Sequence, residues 1–273
     1  MTRFCEQPLA LGALVLLVVV LASACGVMAL TRCRGVPAAP NTILVCQWPT
    51  SSLPGAPLRA WYINMPKRTH RCAEVEGVFA RTSLFRLSRF EATQGVEPSG
   101  IVGCLDSHIR VLQHAARTSQ APATETVLVL EDDAMWNPNL HCNDIYKVFE
   151  TALSVPRATW QVCKLNNTNT STKAAEPVAG MSGFVTCHKQ LAAGAYLVRV
   201  SYIPKMLALL LPYREAARVD PHNYIWAVDV AAIVLQEDGG WVRPHANVVL
   251  QRPSFSDIEG RFVDYTSFQA AAT

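Results

Sequence analysis

The chain carries almost no excess of either charge: 24 lysines and arginines stand against 21 aspartates and glutamates, a formal net charge of +3 over 273 residues. Both signs are spread along the sequence, so no basic stripe stands out to follow a phosphate backbone, and nucleic-acid binding is excluded as a main role. C-x-x-C pairs are missing although there are nine cysteines, which argues against a zinc site of the common cysteine-built kind. Histidines number only seven, few of them where strands would end. A hydrolase holding its metal with ligands from successive strand ends would need more. No internal repeat is present, which excludes a solenoid. Charged residues make up 16% and hydrophobic ones 50% of the sequence, too apolar for a disordered chain and ample for a sizeable core. The length holds one large domain or two small ones.

What is there begins with a hydrophobic run. Pro8 to Leu30 is apolar or small throughout, after a short head carrying Arg3 and Glu6. About 20 such residues can cross a bilayer as a helix. An uncleaved signal anchor, with the rest of the chain in the lumen of the secretory pathway, is the favoured reading of residues 1–30. Arg32 and Arg34 beyond the run oppose the positive-inside tendency. A signal peptide cleaved after Ala22-Ser23-Ala24, which would leave a secreted protein, stays open, as does a lipoprotein using Cys25. Residues 31–57 are rich in proline and alanine and read as a stalk. Seven cysteines follow the hydrophobic run (Cys33, Cys46, Cys72, Cys104, Cys142, Cys163, Cys187), and in an oxidising lumen some should form disulfides. Asn166-Asn167-Thr168 and Asn169-Thr170-Ser171 are glycosylation acceptor patterns in a polar run that reads as a surface loop.

The domain proper is expected over residues 58–265, with a loose tail at 266–273. Strands are expected at 59–65, 84–90, 126–130, 161–165, 195–198 and 247–250. Helices are expected at 67–78, 101–117, 143–153, 202–211 (stopped by Pro212) and 224–235. Their alternation predicts an α/β fold: a mostly parallel, Rossmann-like sheet flanked by helices and preceded by the anchor helix.

Within it, Val127-Leu128-Val129-Leu130 runs straight into Glu131-Asp132-Asp133. An unbroken aliphatic row suits a strand buried on both faces, and ligands of open α/β sheets bind at the carboxyl ends of the strands. Carboxylates there make a seat for a hard divalent cation holding a phosphorylated substrate. A solvated acidic turn in which Asp133 caps the next segment is the plainer alternative.

Several blocks in order resemble glycosyltransferase family 25, the group of bacterial lipooligosaccharide and animal collagen galactosyltransferases. They are Tyr62-Ile63-Asn64-Met65-Pro66-Lys67-Arg68-Thr69-His70-Arg71, then Gly100-Ile101-Val102-Gly103-Cys104-Leu105-Asp106-Ser107-His108, then the E-D-D block. Ala193-Gly194-Ala195-Tyr196-Leu197 with Pro204-Lys205-Met206-Leu207 follows, then Ala227-Val228-Asp229, and finally Gln251 with Ser256-Asp257-Ile258. Ile101, His70 and Pro66 depart from the family pattern.

The resemblance implies a GT-A fold and a metal-dependent, inverting transfer of galactose or glucose from a UDP-sugar to a glycan or protein hydroxyl. Mn²⁺ or Mg²⁺ would sit on Asp133, Glu131 and His245. The donor would meet Asn64, Lys67, Arg68, Ser107, Glu131 and Asp132, with Arg71 adding charge at the phosphates. Asp229 is the expected base, because a carboxylate in the apolar run 225–233 is costly to bury unless paired or used. Asp220 is its rival. His108 is a second catalytic candidate, and Asp257 lies near the same edge. A glycosyltransferase-like module that binds without turnover is the competing function.

Overall fold

The computed structural model describes residues 57–93, 99–169 and 173–266 together with Cys46, Leu53 and Gln269, Asn169 by its backbone alone. The hydrophobic run, most of the expected stalk, and Thr170 and Ser171 of the second acceptor pattern lie outside the described residues. Among the described residues no helix is long and apolar enough to cross a membrane.

The strands are β1 (Leu58–Asn64), β2 (Phe85–Glu91), β3 (Thr126–Glu131), β4 (Ala134–Trp136), β5 (Val162–Lys164), β6 (Thr168–Asn169), β7 (Phe184–Thr186), β8 (Gln190–Leu191), β9 (Ala195–Arg199), β10 (Trp241–Pro244), β11 (Val249–Gln251), β12 (Ser254–Ser256) and β13 (Arg261–Val263). The helices are α1 (Thr69–Phe79), α2 (Gly100–Thr118), α3 (Cys142–Ser154), α4 (Ile203–Val219), α5 (Val228–Ala231) and α6 (Ile233–Gln236).

Seven strands form one sheet in the order β2-β1-β3-β9-β5-β10-β7. β1, β2, β3, β5 and β10 point one way, while β9 and β7 run against them. Successive side chains of a strand face opposite sides. Ala60, Tyr62, Leu128 and Leu130 therefore join one core layer with Val75, Val78 and Phe79 of α1 and Ile145 and Phe149 of α3. Trp61, Ile63, Val127 and Val129 join the other with Leu105, Ile109 and Leu112 of α2 and Ile203 and Met206 of α4. The expected α/β sheet flanked by helices is the one found. Reversal of β9 and β7 makes it mixed, a feature that apolar runs cannot announce, because they carry no direction.

Several boundaries differ from expectation. α4 runs through Pro212 to Val219 instead of stopping before it. The helix loses one backbone bond there, and burial of Met206, Leu210 and Ala217 outweighs that loss. The helix expected over 224–235 is broken at Ala227, whose ψ of 138° is extended, leaving the short α5 and α6. An all-apolar run has no period to set its register, so tertiary contacts decide. Cys46 is bonded to Cys142 and fully buried, and Leu53 is buried in the same core layer, so the expected stalk contributes to the domain. Gln269, in the expected loose tail, is buried, with its backbone oxygen accepting from Asn247 and its side chain exchanging bonds with Gln251. Asn166 is buried with its Oδ1 accepting from the Ala195 N–H at 2.9 Å, which corrects the reading of this acceptor as a surface glycosylation site.

Candidate active site

The carboxyl ends of β1 and β3 lie side by side, Ile63 paired with Glu131, and the E-D-D turn leaves from that edge. β11 folds back antiparallel to β4, placing Gln251 opposite Ala134, so the closing block returns to the acids. Gly100 completes the assembly. A Cβ there would stand 2.5 Å from the Asp257 carbonyl oxygen, so only glycine lets α2 start against the closing block. The Ser99 side chain caps α2 by accepting from the Ile101 N–H.

The three acids have three different fates. Asp132 is buried and used up: Oδ1 accepts from Arg71 Nη1 at 2.8 Å and Oδ2 from Asn64 Nδ2 at 2.9 Å. Glu131 faces inward, with His108 Nε2 at 3.2 Å and Cys104 Sγ at 3.7 Å from Oε1, and Gln251 Nε2 donating to Oε2 at 3.2 Å. Asp133 is the one left open. Its Oδ1 is buried without a hydrogen-bond partner among the described residues, and Oδ2 accepts a long bond from Ser254 Oγ, at 3.4 Å. Burial, then the Glu131 and Asp132 charges, push its carboxyl up to about 7, against the opposing pull of Arg71.

Asp133 lines a cavity of about 550 Å³ together with Lys67, Arg68, His70, Arg71 and Arg252. Some of that positive charge is already paired: Arg68 Nη2 with Asp257 Oδ2 at 2.6 Å, Arg71 with Asp132, and Arg252 with Glu74. Lys67 is exposed at the rim. The exposed rings of Phe255 and Phe262, opposite each other on β12 and β13, border the same cavity.

Asp229 is half-buried at the start of α5, accepting from the Ala192 and Val230 N–H groups at 2.9 and 3.0 Å. Its field reaches Cys104, which also feels Glu131 and Asp133, so the base candidate and the acidic turn share one neighbourhood. Asp220, the rival, is exposed in a turn beyond α4, holding Asn223. At the end of β5 stands Lys164, buried, its ammonium donating to the Gln190 and Leu191 carbonyls. Desolvation lowers it to about 8, while Cys187 and Asp229 draw it back up.

Other expected contacts are occupied elsewhere. Asn64 is fully buried between Asp132, the Arg68 carbonyl and Arg89. Ser107 is buried, donating to the Gly103 carbonyl and accepting from the Thr93 N–H. Both serve the architecture of the edge and leave no group for a donor. His108 is also buried, its Nδ1 3.0 Å from the Tyr196 hydroxyl, so it can position Glu131 but does not open onto the cavity. The expected metal set of Asp133, Glu131 and His245 is not assembled. His245 is exposed after β10. Among the described residues, the group of three whose ligand atoms lie within 4.8 Å of one another is Cys104, His108 and Glu131. The Asp133 carboxylate has the chemistry for a hard divalent cation: an oxygen without a hydrogen-bond partner, on a residue that lines the cavity. Arg252 and Ser254 went unnoticed in the sequence, although they directly follow Gln251.

No protein-family model matches the chain. No curated protein matches it. Among solved structures it is similar to a crystal structure of a glycosyltransferase involved in the glycosylation of the major capsid of PBCV-1, with a TM-score of 0.38 and 12% identity over 68% of this chain and 80% of that one. At that TM-score the likeness carries no argument about this chain.

Proposed function

We propose that the protein is a metal-dependent, inverting glycosyltransferase that moves a hexose, galactose or glucose, from a UDP-sugar to a hydroxyl of a glycan or glycoprotein. The observation carrying this reading is Asp133: a carboxylate with an unpartnered oxygen at the carboxyl edge of the sheet, lining a cavity that also carries Lys67, Arg68, Arg71 and Arg252 beside the paired Glu74 and Asp257. A cavity of mixed charge suits a cation and a polyanion together, as a metal and a nucleotide diphosphate are. The order of the family-like blocks adds to this, because they meet at that same edge.

In this reading Asp133 holds Mn²⁺ or Mg²⁺, which would neutralise the leaving diphosphate. Lys67 faces the phosphates, while Arg68, Arg71 and Arg252, fixed by Asp257, Asp132 and Glu74, hold the wall of the cavity. Asp229 takes the proton of the acceptor hydroxyl, its two backbone hydrogen bonds holding the carboxylate in place. Glu131 is set by His108 and Gln251 and helps to keep the edge acidic. One displacement with one base inverts the anomeric centre without a covalent intermediate. The Cys46–Cys142 bond suits an oxidising compartment, and with the N-terminal hydrophobic run it supports a membrane-anchored enzyme whose domain faces the secretory lumen.

The ion pairs of Arg68 and Arg71 favour a second reading, a module that binds a nucleotide sugar without turning it over. One assay separates the two. Labelled UDP-galactose and UDP-glucose, with and without Mn²⁺, are followed for release of free or transferred sugar. Metal-dependent release, lost in Asp133→Ala, supports the enzyme; binding without release supports the module; neither binding nor release from any UDP-sugar rejects both.

A further inference from the structure

We propose that Cys104, His108 and Glu131 form a binding site for a thiolate-preferring divalent transition metal, Zn²⁺ above all, distinct from the hard-cation seat at Asp133. The proposal does not depend on sugar transfer.

The absence of C-x-x-C pairs removes the usual way of bringing zinc ligands together. Here the fold does it by another route. Cys104 and His108 are four residues apart on α2 and so lie one above the other on a single face. The end of β3 brings Glu131 to that face. Its Oε1 is 3.2 Å from His108 Nε2 and 3.7 Å from Cys104 Sγ, and the ligand atoms of all three residues lie within 4.8 Å of one another. Zinc bonds of about 2.3 Å to sulfur and about 2.0–2.2 Å to nitrogen and oxygen, set at tetrahedral angles, place ligand atoms roughly 3.3–3.7 Å apart. The separations of 3.2 and 3.7 Å lie close to those edges.

The surroundings match as well. A metal-bound histidine is held by a partner on its other ring nitrogen, and Nδ1 has Tyr196 Oη at 3.0 Å. Gln251 Nε2 steadies the second oxygen of Glu131. One thiolate and one carboxylate neutralise a divalent cation, and the imidazole adds a neutral donor. On binding, the Cys104 thiol proton leaves to solvent. In the metal-free chain the Nε2–H faces Glu131; on metal binding that proton would leave Nε2 and the ring would carry its proton on Nδ1, donated to the Tyr196 oxygen, so that Nε2 can ligate. Cys104 and Glu131 are only partly buried, which leaves the fourth position reachable from outside. A soft thiolate selects zinc or cobalt over magnesium, whereas Asp133 offers oxygen alone. Glu131 belongs to the acidic edge, so a metal here also withdraws negative charge from beside Asp133.

The test is a Co²⁺ titration of the metal-free full chain under a non-thiol reductant, read by absorbance, followed by Zn²⁺ displacement against a chromophoric chelator. The wild type is expected to show thiolate-to-cobalt charge transfer with tetrahedral ligand-field bands, both abolished by Zn²⁺. Cys104→Ser should lose the charge-transfer band and bind Zn²⁺ at least about 100-fold more weakly, and Tyr196→Phe, which removes an outer-shell partner, roughly tenfold more weakly. Cys72→Ser, a thiol remote from the cluster, should change neither. Lack of the charge-transfer band in the wild type overturns the proposal, as does unchanged Zn²⁺ affinity in Cys104→Ser. If Cys104→Ser fails to fold by circular dichroism, zinc-edge X-ray absorption of the wild type decides. One sulfur with nitrogen and oxygen neighbours supports the site; a shell without sulfur, or with several, overturns it.

Discussion

Two cavities of similar size lie at different places on the domain, one of about 610 Å³ and one of about 550 Å³. The larger takes in the amino-end residues Leu58 and Arg59 of β1 and Thr126 of β3, with Arg86, Arg157 and Arg199 around them. The smaller lies at the E-D-D turn beyond the carboxyl end of β3. Both are rich in arginine, and volume does not tell them apart. What separates them is the state of their carboxylates. Glu125 in the larger cavity is taken by Arg59 and by Ser119 Oγ at 2.5 Å. Arg199 there rests its guanidinium on the Trp160 ring at 3.9 Å, with one nitrogen donating to Thr126. Asp133, lining the smaller cavity, keeps an oxygen without a hydrogen-bond partner. A cavity whose carboxylate is already paired offers its cations to any anion; one with an unpartnered carboxylate oxygen among its cations suits a metal and a polyanion together. The carboxyl ends of the strands are also where such folds place ligands.

The comparison breaks first at Asp133. Asp133→Ala should lower metal-dependent sugar release by at least about 10³-fold, on the order of 4 kcal/mol, with little change in fold. Retained turnover would remove Asp133 from the account. Arg71→Met comes next. It leaves the buried Asp132 carboxylate without its guanidinium, and breaking a buried pair in this way costs roughly 3–5 kcal/mol. Urea unfolding should show that loss, and donor binding should fall with it.

Asp133→Asn sharpens the contrast through pH. The folded carboxyl stands at about 7, above its ordinary value near 3.8, so the fold favours the protonated form. That contribution is complete below pH ~4 and is lost as pH rises through about 7. The ligand-free Asn variant should therefore match the wild type near pH 4 and exceed it by roughly 1–3 kcal/mol at pH 8, as chemical denaturation would report. Equal stability at both pH values would mean that Asp133 is already neutralised. The smallest effect belongs to the other cavity. Arg59→Ala removes a partly exposed ion pair and should cost about 1 kcal/mol or less, with no change in UDP-sugar binding.

Much of this was legible beforehand. The aliphatic row of β3 announced a strand buried on both faces, and the helical spacing of Ile101, Leu105, Ile109 and Leu112 gave α2 within a residue of its bounds. The edge on which the acids sit followed from that. What could not be read was the division of labour inside E-D-D. Asp132 and Asp133 are chemically identical neighbours, and one is spent on Arg71 and Asn64 only because the turn points it there. Side-chain direction at a strand end depends on the chain that packs above it, here Gln251 to Phe255, more than a hundred residues later. The same distance hid the meeting of Cys104, His108 and Glu131, since nothing local tells a helix face which strand end it will meet. His245 drew notice as a late histidine, yet β10, although it ends at the same edge as β3, lies three strands away in the sheet, and His245 is exposed there.

The most direct test of the central claim is thermal unfolding of the full chain with UDP-galactose or UDP-glucose, with and without Mn²⁺, for wild type, Asp133→Ala and Arg59→Ala. Ligand that binds only the folded state stabilises it by about 2.7 kcal/mol at a hundred times its dissociation constant. The account predicts a rise in Tm that needs sugar nucleotide and Mn²⁺ together, disappears in Asp133→Ala and survives in Arg59→Ala. A metal-independent rise that persists in Asp133→Ala and disappears in Arg59→Ala would place the donor in the other cavity and contradict it.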